Sequence, residues 1–144
     1  MRDAAKRNRV LFLCTGASCR SQMAEGWARA LRGDEYEAFA AGLEPKGLNP
    51  LALKAMAEAG VDISSQRSRS IEDVLAEEGD EFDLVVTVCG HAHETCPVFP
   101  AGARVIHRGF EDPPKLAADA KSEEEALGHY RRVRDEIREF VVGL

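Results

Sequence analysis

Cys14 and Arg20 bracket a loop of small residues, Thr15-Gly16-Ala17-Ser18-Cys19. Before it lies an apolar run, Val10 to Leu13, short enough to be a buried strand. After it, Met23, Ala24, Trp27, Ala28 and Leu31 recur at helical spacing. A strand that feeds such a loop into a helix N-terminus presents backbone N–H groups to an anion, and the helix dipole favours negative charge there. A thiol in that position, beside a guanidinium, is expected to have a lowered pKa and to be a thiolate near neutral pH. Arg20 offers a planar fork that can hold two oxygens of a tetrahedral oxyanion. The pair therefore reads as a nucleophile held against an anionic substrate. Cys-x5-Arg alone is a weak signal; the strand before it, the helix after it, and Gly16 and Ser18 within it carry the weight. No Gly-Lys-Ser/Thr follows, so this is not a nucleotide-binding P-loop.

Displacing an oxygen from a tetrahedral oxyanion requires a proton for the leaving group, and Asp112 in Asp112-Pro113-Pro114 is the candidate general acid. Two further thiols, Cys89 and Cys96, enclose Gly-His-Ala-His-Glu-Thr. They suit a redox pair, a zinc site made with His91 and His93, or inert buried thiols. His91 and His93 stand too close together to copy a zinc finger, and there is no second Cys-x2-Cys. Cys19 reads as a packing residue within the anion loop. Glu25, about one helical turn past Arg20, is placed to orient the loop. His107 and His129 read as structural or solvated, and Arg131, Arg132, Arg134 and Arg138 as a solvated helix face.

These groups need a scaffold. The pattern predicts strands over 9–13, 36–41, 82–88 and 103–107. Helices are expected over 18–32, from Asn49-Pro50 to about Ala59, over 71–78 behind a Ser70 cap, and from the Ser122-Glu-Glu-Glu125 capping box to Gly143. Residues 109–120 read as a loop. Strands alternating with helices argue a four-stranded parallel sheet within a three-layer α/β sandwich. Ligands of such sheets bind beyond the carboxyl ends of strands. Cys14 and Cys89 both stand at such ends, and neighbouring strands would open them onto one crevice.

The chain has 144 residues, 44% hydrophobic and 31% charged, and reads as a single domain over 9–144 behind a polar N-terminal tail, 1–8. Its net charge of −6 argues against nucleic acid or an anionic membrane as the main partner. No apolar run approaches a membrane span, and Met1 to Arg9 lacks the apolar core of a secretory signal, so a cytoplasmic location is expected.

Cys14-Thr-Gly-Ala-Ser-Cys-Arg-Ser-Gln-Met-Ala-Glu-Gly-Trp27 resembles the active-site loop of the thioredoxin-coupled arsenate reductases, which share the low-molecular-weight protein tyrosine phosphatase fold. The resemblance continues through Leu84 to Cys89, Cys96-Pro97, Gly109 to Pro113 and Arg132 to Ile137, nearly the whole chain after the tail. It implies that residues 15–21 (Thr15, Gly16, Ala17, Ser18, Cys19, Arg20 and Ser21) cradle arsenate while Cys14 attacks arsenic and Asp112 protonates the departing oxygen. It implies a Cys14–Cys89 disulfide that moves to Cys89–Cys96 and is reduced by thioredoxin, in a monomer with no cofactor and no metal. The low-molecular-weight phosphatase is the alternative enzyme, since Cys14, Arg20 and Asp112 would serve phosphoryl transfer unchanged. A zinc- or arsenite-binding thiol sensor is the non-catalytic alternative. The loop position usually held by Asn is Ala17, and a cation site found in some members would fall on Ala17, Ala40 and Arg69, with Glu25 alone retained. Arg69 is expected to reach Glu25, its guanidinium standing in for that cation.

Overall fold

In the computed structural model, residues 7–90 and 103–144 are described. Strand β1 (Asn8–Cys14) has its last five residues buried, as its unbroken apolar run requires of a strand covered on both faces. It lies between β2 (Tyr36–Gly42) and β3 (Leu84–Thr87), and β4 (Arg104–His107) closes the order β2-β1-β3-β4 with every pair parallel. The register sets Cys14 opposite Gly42, and Leu13 opposite Thr87. The carboxyl ends of the three strands are thus level, and Cys89 follows two residues beyond Thr87. The strand ends bring Cys89 beside Cys14, as predicted, but the crevice beyond them is lined by Cys14 and not by Cys89.

Helices α1 (Arg20–Arg32), α2 (Pro50–Glu58), α3 (Ile71–Glu78), α4 (Pro113–Leu116) and α5 (Glu123–Val142) flank the sheet in the expected three-layer arrangement. Phe12, Leu11, Leu13, Met23, Met56, Ile63, Leu127 and Ile137 are the largest fully buried apolar side chains, drawn from β1, three helices and the segment after α2. The helix starts follow their caps. Asn49 accepts from the N–H groups of Leu51 and Ala52, with Pro50 at the first helical position. Ser70 accepts from Asp73 N–H, and Ser122 from Glu125 N–H. The Glu125 carboxylate reaches back one residue further than a capping box expects, to the N–H of Lys121. Asn49 also donates to the Tyr130 hydroxyl at 3.0 Å, tying the start of α2 to α5. Asn49→Ala is expected to cost about 1–2 kcal/mol in urea denaturation, from the lost cap and the lost tie together.

Strand β3, expected over 82–88, is confined to Leu84–Thr87, and two helices also differ from expectation. Helix α1 starts at Arg20 rather than Ser18, because Ala17 has φ of +47° and Cys19 lies outside helical space, so the loop keeps its own path up to Arg20. Helix α4 falls inside the expected 109–120 loop. Pro113 fixes φ at its first position, and Leu116 N–H bonds to Asp112 carbonyl. Among the described residues, no helix is long and apolar enough to cross a membrane.

Candidate active site

The loop after β1 is defined by where its carbonyls go. The N–H groups of Leu43, Glu44, Lys46 and Asn49 donate to the carbonyls of Cys14, Thr15, Gly16 and Ser18, at 3.3, 2.8, 2.9 and 2.9 Å. The Gln22 side-chain amide donates to Ala17 carbonyl at 2.8 Å, and Met23 N–H to Cys19 carbonyl at 2.9 Å. Every carbonyl from Cys14 to Cys19 is therefore turned outward and satisfied. Among the described residues, no hydrogen-bond acceptor is found for the N–H groups of Gly16 to Cys19. An array of unpaired N–H groups before a helix N-terminus is what a tetrahedral oxyanion needs.

Segment 43–49, a strap beside the loop, was not visible as a site element in the sequence, and neither were Gln22 and Gln66. Gln22 also donates to Arg67 carbonyl, and Gln66 donates to both the backbone and side-chain oxygens of Gln22. Ser68 Oγ bridges Gly47 N–H and Gly16 carbonyl. The one available hint was Gln22, a polar residue on the apolar face of α1, fully buried.

Arg20 leaves the first turn of α1 into this cleft. One Nη donates to Phe110 carbonyl at 2.9 Å, and the other stands 3.7 Å from Asp112 Oδ1. Its Nε is buried without a partner among the described residues, the donor still available to an oxyanion. Asp112 caps α4 by position but makes no side-chain cap bond, so its carboxylate is left facing Arg20. Cys14, Gly16, Arg20, Lys46, Asn49 and Asp112 are among the residues lining a cleft of about 510 Å³. Ser21, at the start of α1, is fully buried and its hydroxyl has no partner among the described residues.

Cys14, Cys19 and Cys89 are all buried thiols. Thr15 Oγ1 lies 3.3 Å from Cys89 Sγ, and Cys89 stands close enough to Cys14 to act on its thiol. The expected low pKa of Cys14 is not what this arrangement produces. The hydrogen bond with Cys89, then burial, push the thiol upward; Arg20 and the Thr15 N–H oppose them without prevailing. Burial, and then the Asp112 charge, push Cys19 up to about 12 against the pull of Arg20, which suits a packing thiol.

The expected Arg69–Glu25 pair is not formed. Arg69 Nη1 lies 2.8 Å from Glu77 and 3.0 Å from Glu78, because the end of α3 brings both carboxylates to it. Glu25 pairs with Arg29 at 2.9 Å, one turn further along α1, with the Ala40 N–H nearby; Arg69 acts on it only through space. Burial outweighs these influences and raises Glu25 to about 7. A carboxylic acid raised in the folded state holds its proton there after the unfolded chain has lost it. Stability therefore falls as pH rises from about 4.5 to about 7. Glu25→Gln is expected to remove a fall of about 3 kcal/mol between pH 5 and 8. Urea denaturation at both pH values checks this, and an unchanged slope in the variant would refute it.

Among the described residues, no group of three or more His, Cys, Asp or Glu is placed to hold a metal. Cys96, His91 and His93, and with them the redox and zinc readings of that segment, lie outside the described residues.

Residues 9–144 match the low-molecular-weight phosphotyrosine protein phosphatase family. The chain belongs to that family. Within it, the chain is 50% identical over 128 residues to an arsenate reductase of Halalkalibacterium halodurans, covering 89% of this chain and 88% of that one. It is 50% identical over 129 residues to an arsenate reductase of Bacillus subtilis, again covering 89% and 88%. A solved arsenate reductase in its oxidized state superimposes with a TM-score of 0.74 at 32% identity, covering 95% of each chain. This phosphatase-family member thus shares its sequence and fold with arsenate reductases over nearly all the chain that carries the cleft.

Proposed function

We propose that this phosphatase-family member reduces arsenate to arsenite through the thiols Cys14, Cys89 and Cys96, recycled by thioredoxin. The observation that carries the reading is Cys89, a buried thiol set beside Cys14 just beyond the end of the adjoining strand. Phosphoryl transfer has no use for it, whereas thiol–disulfide exchange requires it.

Arsenate enters the loop on the free N–H groups and Arg20 Nε. Separating Cys89 from Cys14 removes the largest of the influences that hold the proton on Cys14. The Cys14 thiolate attacks arsenic, an S–As bond forms, and one As–O bond breaks with the oxygen leaving as water on a proton from Asp112. The Cys89 thiolate then attacks Cys14 Sγ. The S–As electron pair stays on arsenic, which departs as arsenite, and a Cys14–Cys89 disulfide remains. Cys96 attacks Cys89, frees Cys14, and leaves Cys89–Cys96 for the thioredoxin dithiol to reduce. The chain acts in this scheme as a cytoplasmic monomer without cofactor, metal, nucleic acid or membrane.

The test is arsenate-dependent NADPH oxidation with thioredoxin and thioredoxin reductase. Multiple turnovers of arsenite release are expected. Steady hydrolysis of an aryl phosphate with no arsenate-dependent oxidation would replace this reading with a phosphatase. Stoichiometric retention of zinc or arsenite without turnover would replace it with a sensor.

A further inference from the structure

The net charge of −6 works against any anion approaching this molecule. Arg20, deep in the cleft, is already engaged by Phe110 carbonyl and Asp112. Of the two cations lining the cleft, the one with no ion pair among the described residues is Lys46. Its side chain is exposed, lines the cleft, and pairs with no carboxylate among the described residues. Its backbone, by contrast, is fixed. Lys46 N–H bonds to Gly16 carbonyl at 2.9 Å, and the next residue, Gly47, turns at φ of +83° with its N–H held by Ser68. The Lys46 stem lies over Gly16, its Cδ and Cγ 3.5 and 3.6 Å from where a Cβ on Gly16 would stand. An exposed ammonium is thus anchored at the rim of the array of free loop N–H groups. Glu44 belongs to the same strap but does not line the cleft.

We propose that Lys46 is the capture residue of this site, meeting a doubly charged tetrahedral oxyanion at the rim and holding one of its oxygens as the anion seats on the loop. The proposal rests on the oxyanion reading of the cleft given above. An ammonium on a flexible stem acts as a point charge, so it raises the local anion concentration and the rate of entry without fixing the reacting geometry. Lys46 belongs to affinity and not to the chemical step.

Titration calorimetry with inorganic phosphate, and arsenate kinetics, on wild type, Lys46→Ala, Lys46→Arg and Lys46→Glu at low and physiological salt, tests this. For Lys46→Ala, the phosphate Kd and the arsenate KM are expected to rise about 5–20-fold with kcat within about twofold, and the salt dependence to flatten. Lys46→Arg should restore most of the affinity, and Lys46→Glu should weaken it further. Wild-type phosphate affinity and salt dependence in Lys46→Ala would overturn the proposal. The phosphate measurements stand apart from turnover. A wild type that binds phosphate but reduces no arsenate would sink the reductase reading and leave Lys46 to be decided by its own variants; a wild type that binds no phosphate would overturn both.

Discussion

Cys14→Ser is expected to release no arsenite at all, a loss of at least about 10⁴-fold, while binding phosphate within about threefold of wild type. A serine hydroxyl keeps the shape of the loop, whose carbonyls remain fastened by the strap and Gln22. It lacks the nucleophilicity of a thiolate and cannot end in a disulfide. The other two thiols should fail later and differently. Cys89→Ser should stop with arsenic on Cys14. Cys96→Ser should release about one equivalent of arsenite and leave a Cys14–Cys89 disulfide. Quenched single-turnover assays with mass analysis of the trapped protein separate the three outcomes. Sustained thioredoxin-dependent turnover in Cys96→Ser would refute the order of the relay.

Gly42→Ala is the second large effect expected. A Cβ on Gly42 would stand 2.7 Å from Ala17 N, 2.8 Å from Thr15 O and 2.9 Å from Ala17 Cβ. The first two are backbone atoms of the anion loop, so no side chain can swing aside. Nor can Gly42 retreat, because its N–H bonds to Arg69 carbonyl and it bridges Ser70. The loop must move, which misplaces Cys14 relative to its substrate. A stability loss of about 2–4 kcal/mol and a fall in kcat/KM of about 10²-fold are expected. Gly128→Ala is the control. Among the described residues nothing lies within 4 Å of its Cβ position, inside α5, and helix propensity should raise stability by about 0.5–1 kcal/mol. Normal activity and melting temperature in Gly42→Ala would show that the loop is not held as described.

What could be read from the sequence were features written in side chains. The apolar run of β1, the Asn49-Pro50 start and the Ser70 and Ser122 caps all lie where their patterns placed them. The meeting of Cys14 and Cys89 followed from two strands ending in cysteine. What could not be read depends on backbone groups or on spatial neighbours. The strap works through N–H groups that any residue carries, so Leu43, Glu44 and Lys46 give no signal. Gly42 looks like a strand end until the loop is seen to lie against it. Arg69 chose Glu77 and Glu78 over Glu25 because α3 brings them closer, and Arg29 had already taken Glu25. Cys14 was expected to be acidic from its one cation, but a second thiol at its side and full burial reverse the balance.

A loop with every carbonyl fastened outward has little freedom to adapt its N–H array to one guest over another. It selects a tetrahedral outline, and arsenate and phosphate share that outline. Discrimination then falls to the chemical step, because a thiol can take oxygen from arsenic(V) and cannot do so from phosphorus(V). Phosphate becomes a reversible tenant of the same loop. In a cell the rate of detoxification by such an enzyme would follow the ratio of arsenate to phosphate, so phosphate starvation would speed it and phosphate abundance would slow it at a fixed arsenate load.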